Sequence, residues 1–340
     1  MLDLELPIIQ APMAGAQDWQ MAAAASNAGG LGSLPCAMLN AEQQREQAAR
    51  LRGATSGPIN LNFFCHAPAA PDEAAESAWR ALLRPYYLEL GLDPEARAPA
   101  ASRQPFGEAA CQLVEDLRPE FVSFHFGLPD AVLLARVRAA GAKVLACATT
   151  VAEARWLAAR DVDAVIAQGS EAGGHRGMFL SEDIATQLGL FALLPQICSV
   201  VDVPVIASGG IAEPRGVRAA MALGAAGVQV GTAYLFTPEA RIAALHAAAL
   251  RSTAAEETAL TRIFSGKPAR GIMNRLMREL GPMNAAAPAF PTAGAALAPL
   301  RAATEPKGSD EFLQMWSGQA APLCRRDLDT ASLTHWLSEG

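Results

Sequence analysis

The chain has 340 residues, 51% of them hydrophobic and 18% charged, with a formal net charge of −7 at pH 7. That apolar share is enough for a sizeable core and excludes a disordered chain, while the negative balance argues against a nucleic-acid partner, which needs a basic face. No apolar run reaches eighteen residues and the opening Met1-Leu2-Asp3-Leu4-Glu5 has no secretion-signal pattern, so neither membrane insertion nor export is expected and the predicted location is cytoplasmic.

Short apolar runs alternate with helical stretches along the chain. Pro7 to Met13 reads as a first strand and Trp19 to Ala28 as its helix, ended by Gly29-Gly30 in a left-handed cap. Leu31 to Cys36 is a second strand, with a helix from Ala41 to Leu51, and Ile59 to Phe64 a third. Phe121 to Phe126 is the fourth, followed by a helix from Asp130 to Ala140. Lys143 to Ala148 is the fifth, with a helix from Val151 to Arg160, and Asp163 to Gln168 the sixth. Val203 to Ser208 and Gly227 to Val230 complete eight.

Eight strands, mostly followed by helices, with near-continuous apolar runs, predict an α/β fold, a (β/α)8 TIM barrel. An open doubly wound sheet is the alternative, but no Gly-x-Gly-x-x-Gly follows the first strand. Residues 67 to 106 read as an insertion broken up by Pro68, Pro71, Pro85, Pro94, Pro99 and Pro105. Beyond Phe236 the strand-like runs stop. The expected division is therefore a barrel over residues 1–236, carrying that insertion, and a helical cap over its mouth from 237 to 340.

Active residues of such a barrel gather at the C-terminal ends of its strands. The densest of these ends is Gln168-Gly169-Ser170-Glu171-Ala172-Gly173-Gly174-His175-Arg176-Gly177, where glycines let backbone approach a ligand around one imidazole. Ser208-Gly209-Gly210, running to Pro214 at a helix start, together with Gly231-Thr232, has the form of a phosphate site. His125 and His175 end different strands and can face one mouth as general bases. His66 is a weaker candidate, and His246 and His335 fall in helical segments. Six scattered cysteines and the lack of any clustered His, Asp and Glu predict no metal and no disulfide. The basic loop Ser265 to Gly271 and the loop Trp316 to Gln319 read either as solvated or as leaning over the site.

Taken in order, Gln10-Ala11-Pro12-Met13, Asn62-Phe63-Phe64, Ser123 to Gly127, Ala148-Thr149-Thr150, Gln168 to Gly177, Ala207 to Ile211, Gly227 to Tyr234 and Ser265 to Gly271 resemble the nitronate monooxygenases. This is a family of FMN-dependent barrel enzymes formerly called 2-nitropropane dioxygenases, and the resemblance is to its class I. It implies non-covalent FMN held by Asn62, Gln168, Gly173, Gly174, Gly209, Gly210, Gln229, Val230, Gly231 and Thr232, with Pro12, Met13 and Ala14 behind the ring. It also implies oxidation of alkyl nitronates, and by extension nitroalkanes, by O2 to a carbonyl compound and nitrite. His175 would then be the base, His125 would line the same pocket and Arg176 would be a candidate helper at the nitronate oxygens. Family members often carry tyrosines and a lysine near the substrate, yet Ala289 to Gly294 has no tyrosine, and Tyr86, Tyr87 and Tyr234 are the chain's three. Two alternatives stand beside this reading: an NAD(P)H:quinone or enoyl-thioester reductase on the same barrel, and a non-catalytic binder of FMN or another phosphate ligand. The expected partners are the small nitro substrate and O2, and the sequence is compatible with a homodimer.

Overall fold

Eight short parallel strands frame the computed structural model, which describes residues 4–68, 70, 72–96 and 103–339. Met1–Asp3, and Pro71 and Pro99 of the expected insertion, lie outside the described residues. In chain order the strands and helices are β1 (Ile8–Gln10), α1 (Trp19–Asn27), β2 (Gly32–Pro35), α2 (Ala41–Ala54), β3 (Ile59–Phe64), α3 (Glu73–Glu89), α4 (Glu108–Leu117), β4 (Phe121–His125), α5 (Ala131–Ala139), β5 (Lys143–Ala148), α6 (Val151–Ala158), β6 (Ala164–Gln168) and β7 (Gly174–His175). They continue with α7 (Leu190–Cys198), β8 (Val205–Ser208), α8 (Pro214–Ala222), β9 (Gly227–Val230), α9 (Ala244–Leu250), β10 (Thr258–Thr261), β11 (Ala269–Ile272), α10 (Arg275–Leu280), α11 (Ala298–Thr304) and α12 (Thr330–Ser338). The parallel sheet runs β1-β9-β8-β6-β5-β4-β3-β2, and a bridge between Ile9 and Leu31 closes it into the TIM-like barrel that the sequence predicts.

Strand alternation sorts the barrel's side chains. One set, including Ile8, Leu34, Leu61, Val122, Val144, Val165 and Val228, packs outward against the helices. The inward set begins with an apolar plug, with Ile9, Phe121, Leu145, Ile166 and Ile206 among its members. It turns polar towards the strands' C-terminal ends, at Asn62, Ser123, Gln168, Ser208 and Gln229, which face the mouth. Asn60, just below, donates through Nδ2 to the hydroxyls of Ser33 and Ser123 at 3.0 and 2.9 Å, tying three strands together inside the barrel.

Local signals set the helix ends. Asp130 caps α5 through the N–H groups of Val132 and Leu133, and the Asn40–Gln43 pair forms a reciprocal capping box on α2. Gly29 adopts φ +86° after α1, and Gly30 N–H reaches back to Ala25 O, as the predicted cap requires.

Three expectations need correction. Pro85 does not break the insertion, because α3 runs through it from Glu73 to Glu89. The lost backbone bond is offset by burial of Trp79, Leu83, Tyr86 and Tyr87 in a second core shared with Ile263, Phe264, Leu276, Leu297 and Phe312 from the tail. Nor does the tail lack strands, since β10 and β11 pair antiparallel and β11 pairs with β7 in the glycine loop. Finally, α12 belongs to the span expected to cap the mouth, yet none of its residues lines the cavity there. It packs outside the barrel against α1, α8 and β1, and Thr334 Oγ1 lies 2.9 Å from Tyr234 Oη.

Trp79 is buried in the second core, and its Nε1 donates to Ala293 O at 3.1 Å. Trp79→Ala is expected to destabilise the protein by about 3–5 kcal/mol, the usual range for emptying such a site. Urea melts followed by circular dichroism would show it, and a loss below about 1 kcal/mol would mean that this core does not hold the insertion to the tail.

Candidate active site

The loop after β6 is held in shape by an arginine. Arg176 is fully buried and donates from NH2 to Gln168 O at 2.7 Å, from NH1 to Gly169 O at 2.8 Å and from Nε to Gln187 Oε1 at 2.9 Å. Its guanidinium therefore points into the loop's own backbone and not at a ligand, which corrects its expected role at the nitronate oxygens. Arg270 of β11 adds a second brace, Nε to Ser170 O at 2.8 Å. Gln168 closes the loop from below: its Nε2 donates to His175 O at 3.0 Å and its Oε1 accepts from Gly177 N–H at 2.8 Å.

So folded, the loop turns His175 into a cavity of about 370 Å³, within the range of small-molecule sites. The cavity brings together Pro12, Met13, Ala14, Asn62, His125, Gln168, Gly173, Gly174, His175, Gly209, Gly210, Gln229, Gly231 and Thr232. Val230, expected among them, is not there, because alternation sends its side chain into the outer core while Gln229 faces inward. His66 lies outside the lining, with its ring 4.8 Å from that of Phe290. His246 does line it and shares a hydrogen bond through Nε2 with Trp316 O at 3.0 Å. His335, on α12, is exposed.

Glycines of the site serve different ends. Gly174 has φ +71° and open space where a Cβ would stand, so the backbone conformation alone selects it. At Gly173 a Cβ would come within 2.5 Å of Gly318 N, so this glycine admits the tail segment Ser317-Gly318. That segment is fastened to the barrel by Gly318 N–H to Thr232 Oγ1 at 2.9 Å and Gln319 N–H to Glu171 O at 3.0 Å. Gly209 and Gly210, at φ +111° and +70°, turn the chain from β8 into α8, whose first residue is Pro214.

Two histidines meet in the mouth. His125 Nε2 lies 3.2 Å from His175 O, and since a carbonyl only accepts, that nitrogen carries the proton. His175 Nε2 lies 2.9 Å from Ser265 Oγ. Around His175 stand the rings of Phe64, Phe126, Phe290 and Trp316, with centroids 5.5–6.3 Å away. Phe126 holds φ +69°, an unusual conformation for a bulky residue and a local strain at the site. Burial in this aromatic setting, then the positive charges of Arg103 and Lys267, push His175 well below the ordinary imidazole range. Burial is also the main cause that lowers His125 to about 4. Both rings are neutral at physiological pH.

Several site residues carried no clear sequence signal. Ser123 and Cys147 reach the cavity only through strand register, and Arg103 and Arg301 enter it from the insertion and from α11. Among the described residues Arg103 Nε and NH1 have no hydrogen-bond partner, and its guanidinium sits 5.2 Å from the Phe290 ring centroid. Gln229 Oε1 is likewise buried without a partner. The tail stretch read as lacking tyrosine, Ala289 to Gly294, supplies Phe290, and the loop Trp316 to Gln319 supplies Trp316, both rings without hydroxyls around His175.

A family model described as nitronate monooxygenase matches residues 1–339. A nitronate monooxygenase from Pseudomonas aeruginosa is 41% identical over 342 residues, covering 100% of this chain and 97% of that protein. One from Paraburkholderia phytofirmans is 40% identical over 327 residues, covering 96% and 89%. Among solved structures, the nitroalkane oxidase from Streptomyces ansochromogenes superposes with a TM-score of 0.89 at 38% identity, covering 99% of this chain and 96% of that one.

The buried neutral histidines make a pH prediction. Burial holds His66, His125 and His246 near 4 in the folded state, whereas the unfolded chain takes up their protons near 6.5. The unfolded state binds more protons as pH falls from about 6.5 towards 4, so stability is full above that window and declines through it. Urea midpoints are expected to drop between about pH 7.5 and about 5.5, where carboxylates are still charged. A flat midpoint would contradict the burial of these rings.

Proposed function

The chain belongs to the nitronate monooxygenase family, and on that footing we propose that it binds FMN without a covalent link and uses O2 to oxidise alkyl nitronates to carbonyl compound and nitrite. The observation that carries the reading is one cavity joining a glycine-turn anion cradle to a cationic, aromatic-walled chamber around His175. The orphaned Gln229 Oε1 at its wall fits a flavin, whose ring N–H could be its missing donor. FMN, when bound, supplies the electron chemistry.

The chain's own residues then divide the work. The Gly209-Gly210 turn, the start of α8 and Gly231-Thr232 hold the phosphate by backbone N–H groups and a helix dipole. Asn62 uses its Nδ2 hydrogens on Ser123 O and Oγ at 3.2 and 3.0 Å, and among the described residues no hydrogen bond is made to its Oδ1, which leaves that oxygen to accept. Pro12, Met13 and Ala14 back the ring. Arg103 and Arg301 draw an anion into the chamber, and the aromatic walls exclude water around it.

His175 touches the reacting end. A ring held neutral by burial among cations resists becoming imidazolium, so it is a weak base for a neutral nitroalkane. It serves a preformed nitronate better, as a neighbour that need not take a proton. That contrast favours nitronates over nitroalkanes as substrates.

Mixing the purified protein with an alkyl nitronate without oxygen is expected to bleach its flavin absorbance promptly, and admitting O2 to restore the colour and release nitrite. A yellow protein that ignores nitronate but bleaches with NADH would replace this reading with a reductase. Gly231→Asp tests the phosphate cradle. Gly231 has φ −111° and a Cβ there would meet Ala11 and Met13 at 3.5 and 3.8 Å, so the backbone tolerates the change while a carboxylate opposes the phosphate. The variant is expected to purify folded and colourless, and full flavin content would refute the assignment.

A further inference from the structure

Ser265 contacts His175 from β11's side of the chamber, and proton counting fixes what it does there. Its hydroxyl has one hydrogen and three polar neighbours: His175 Nε2 at 2.9 Å, Lys267 O at 3.2 Å and Lys267 N–H at 3.4 Å. The Lys267 carbonyl can only accept, and the Lys267 amide can only donate. If the hydroxyl gave its hydrogen to His175, Lys267 O would have no hydrogen-bond donor among the described residues. If it gives it to Lys267 O, every group in the cluster is matched, because Oγ then accepts from Lys267 N–H and from His175 Nε2–H together.

Among the described residues no carboxylate stands beside His175, whose charged neighbours are Arg103 and Lys267, so its tautomer is set by hydrogen bonding and not by an acid partner. The backbone carbonyl of His175 accepts from Gln168 Nε2 and His125 Nε2, which fixes the backbone of the residue from the opposite side. Among the described residues no hydrogen bond is made to His175 Nδ1.

We propose that Ser265 is a positioning residue that holds His175 in the Nε2–H tautomer, leaving Nδ1 as the lone-pair nitrogen available to substrate. This rests on the proposed function only for its consequence. When a nitroalkane is the substrate, the Cα–H bond breaks, its proton goes to Nδ1, and the electron pair moves into the nitro group to leave a nitronate. A preformed nitronate needs no such transfer. Ser265 therefore matters for the first substrate and little for the second.

The test begins with the flavin-loaded protein carrying ¹⁵N-labelled histidine, whose long-range proton–nitrogen spectra distinguish the two neutral tautomers. His175→Gln identifies the relevant ring. Wild type is expected to show Nε2–H and bare Nδ1 at His175, Ser265→Ala to lose that preference, and Ser265→Thr, which keeps a hydroxyl, to restore it. A wild-type ring protonated at Nδ1, or a tautomer unchanged in Ser265→Ala, overturns the proposal. In turnover, Ser265→Ala should lower kcat/KM for a nitroalkane by about 10²-fold, the lower end for a general base, and leave a nitronate within about 2-fold. Equal losses on both substrates would mark a merely structural role and also overturn it. A wild type that oxidises neither substrate yet shows the Nε2–H ring would defeat the proposed reaction and leave the tautomer assignment standing.

Discussion

The guanidinium of Arg176, buried among carbonyl oxygens and with no carboxylate partner among the described residues, is the contact on which the site's geometry depends. Its three acceptors, Gln168 O, Gly169 O and Gln187 Oε1, belong to the beginning of the loop and to the segment beyond it, so the chain between them must double back. Burial lowers this side chain's pKa to about 10, which still leaves it charged at neutral pH. Charge-assisted bonds of this kind are stronger than neutral ones, and losing any of them would strand a buried charge. Because the loop doubles back, His175 O meets Gln168 and His125, and Gly174–His175 presents an edge that β11 can pair with. The tail is thus joined to the barrel through a strand of two residues, and the chamber's roof and its imidazole are positioned by one device.

Around that imidazole the protein combines cations with apolar rings. Phe64, Phe126, Phe290 and Trp316 remove water, while Arg103 and Lys267 make further positive charge unwelcome. The site is consequently receptive to an anion and resistant to proton uptake, two properties with one electrostatic cause. Lys267 is itself held at the chamber's edge, paired with exposed Glu182 at 3.4 Å and 5.1 Å from the Phe126 ring centroid.

Much of the barrel was legible because strands covered on both faces read as unbroken apolar runs. Ile59–Phe64, Lys143–Ala148 and Gly227–Val230 have the ends that the sequence suggests. The tail strands were not legible: Thr258–Thr261 is half-exposed, and Ala269–Ile272 contains a buried arginine and a glycine, so neither gives a strand-like pattern. The cavity's glycines and His175 were evident from their clustering after strand ends. Arg176 was misread, since a charged residue in a glycine loop looks the same whether it binds a ligand or its own backbone. Val230 was misplaced by ignoring alternation, and Ser123 and Cys147 were missed for the same reason. Pro85 misled because helix-breaking is a local cost, while the packing that offsets it comes from tail residues such as Phe264, Leu297 and Phe312, far away in the sequence.

The placement of α12 has a consequence for biosynthesis. The first and last barrel strands, β1 and β9, pair with each other, and α12 covers their junction between α1 and α8. A chain emerging from the ribosome can pair those strands once residue 230 is free, but it leaves the joint bare until the stretch around Thr330 to Ser338 follows. Maturation of the barrel is therefore a late event, finished only after the whole roof has been synthesised. Until then the surface that Leu333 and Leu337 cover beside α1 and α8 stays open to solvent, at a point remote from the catalytic chamber.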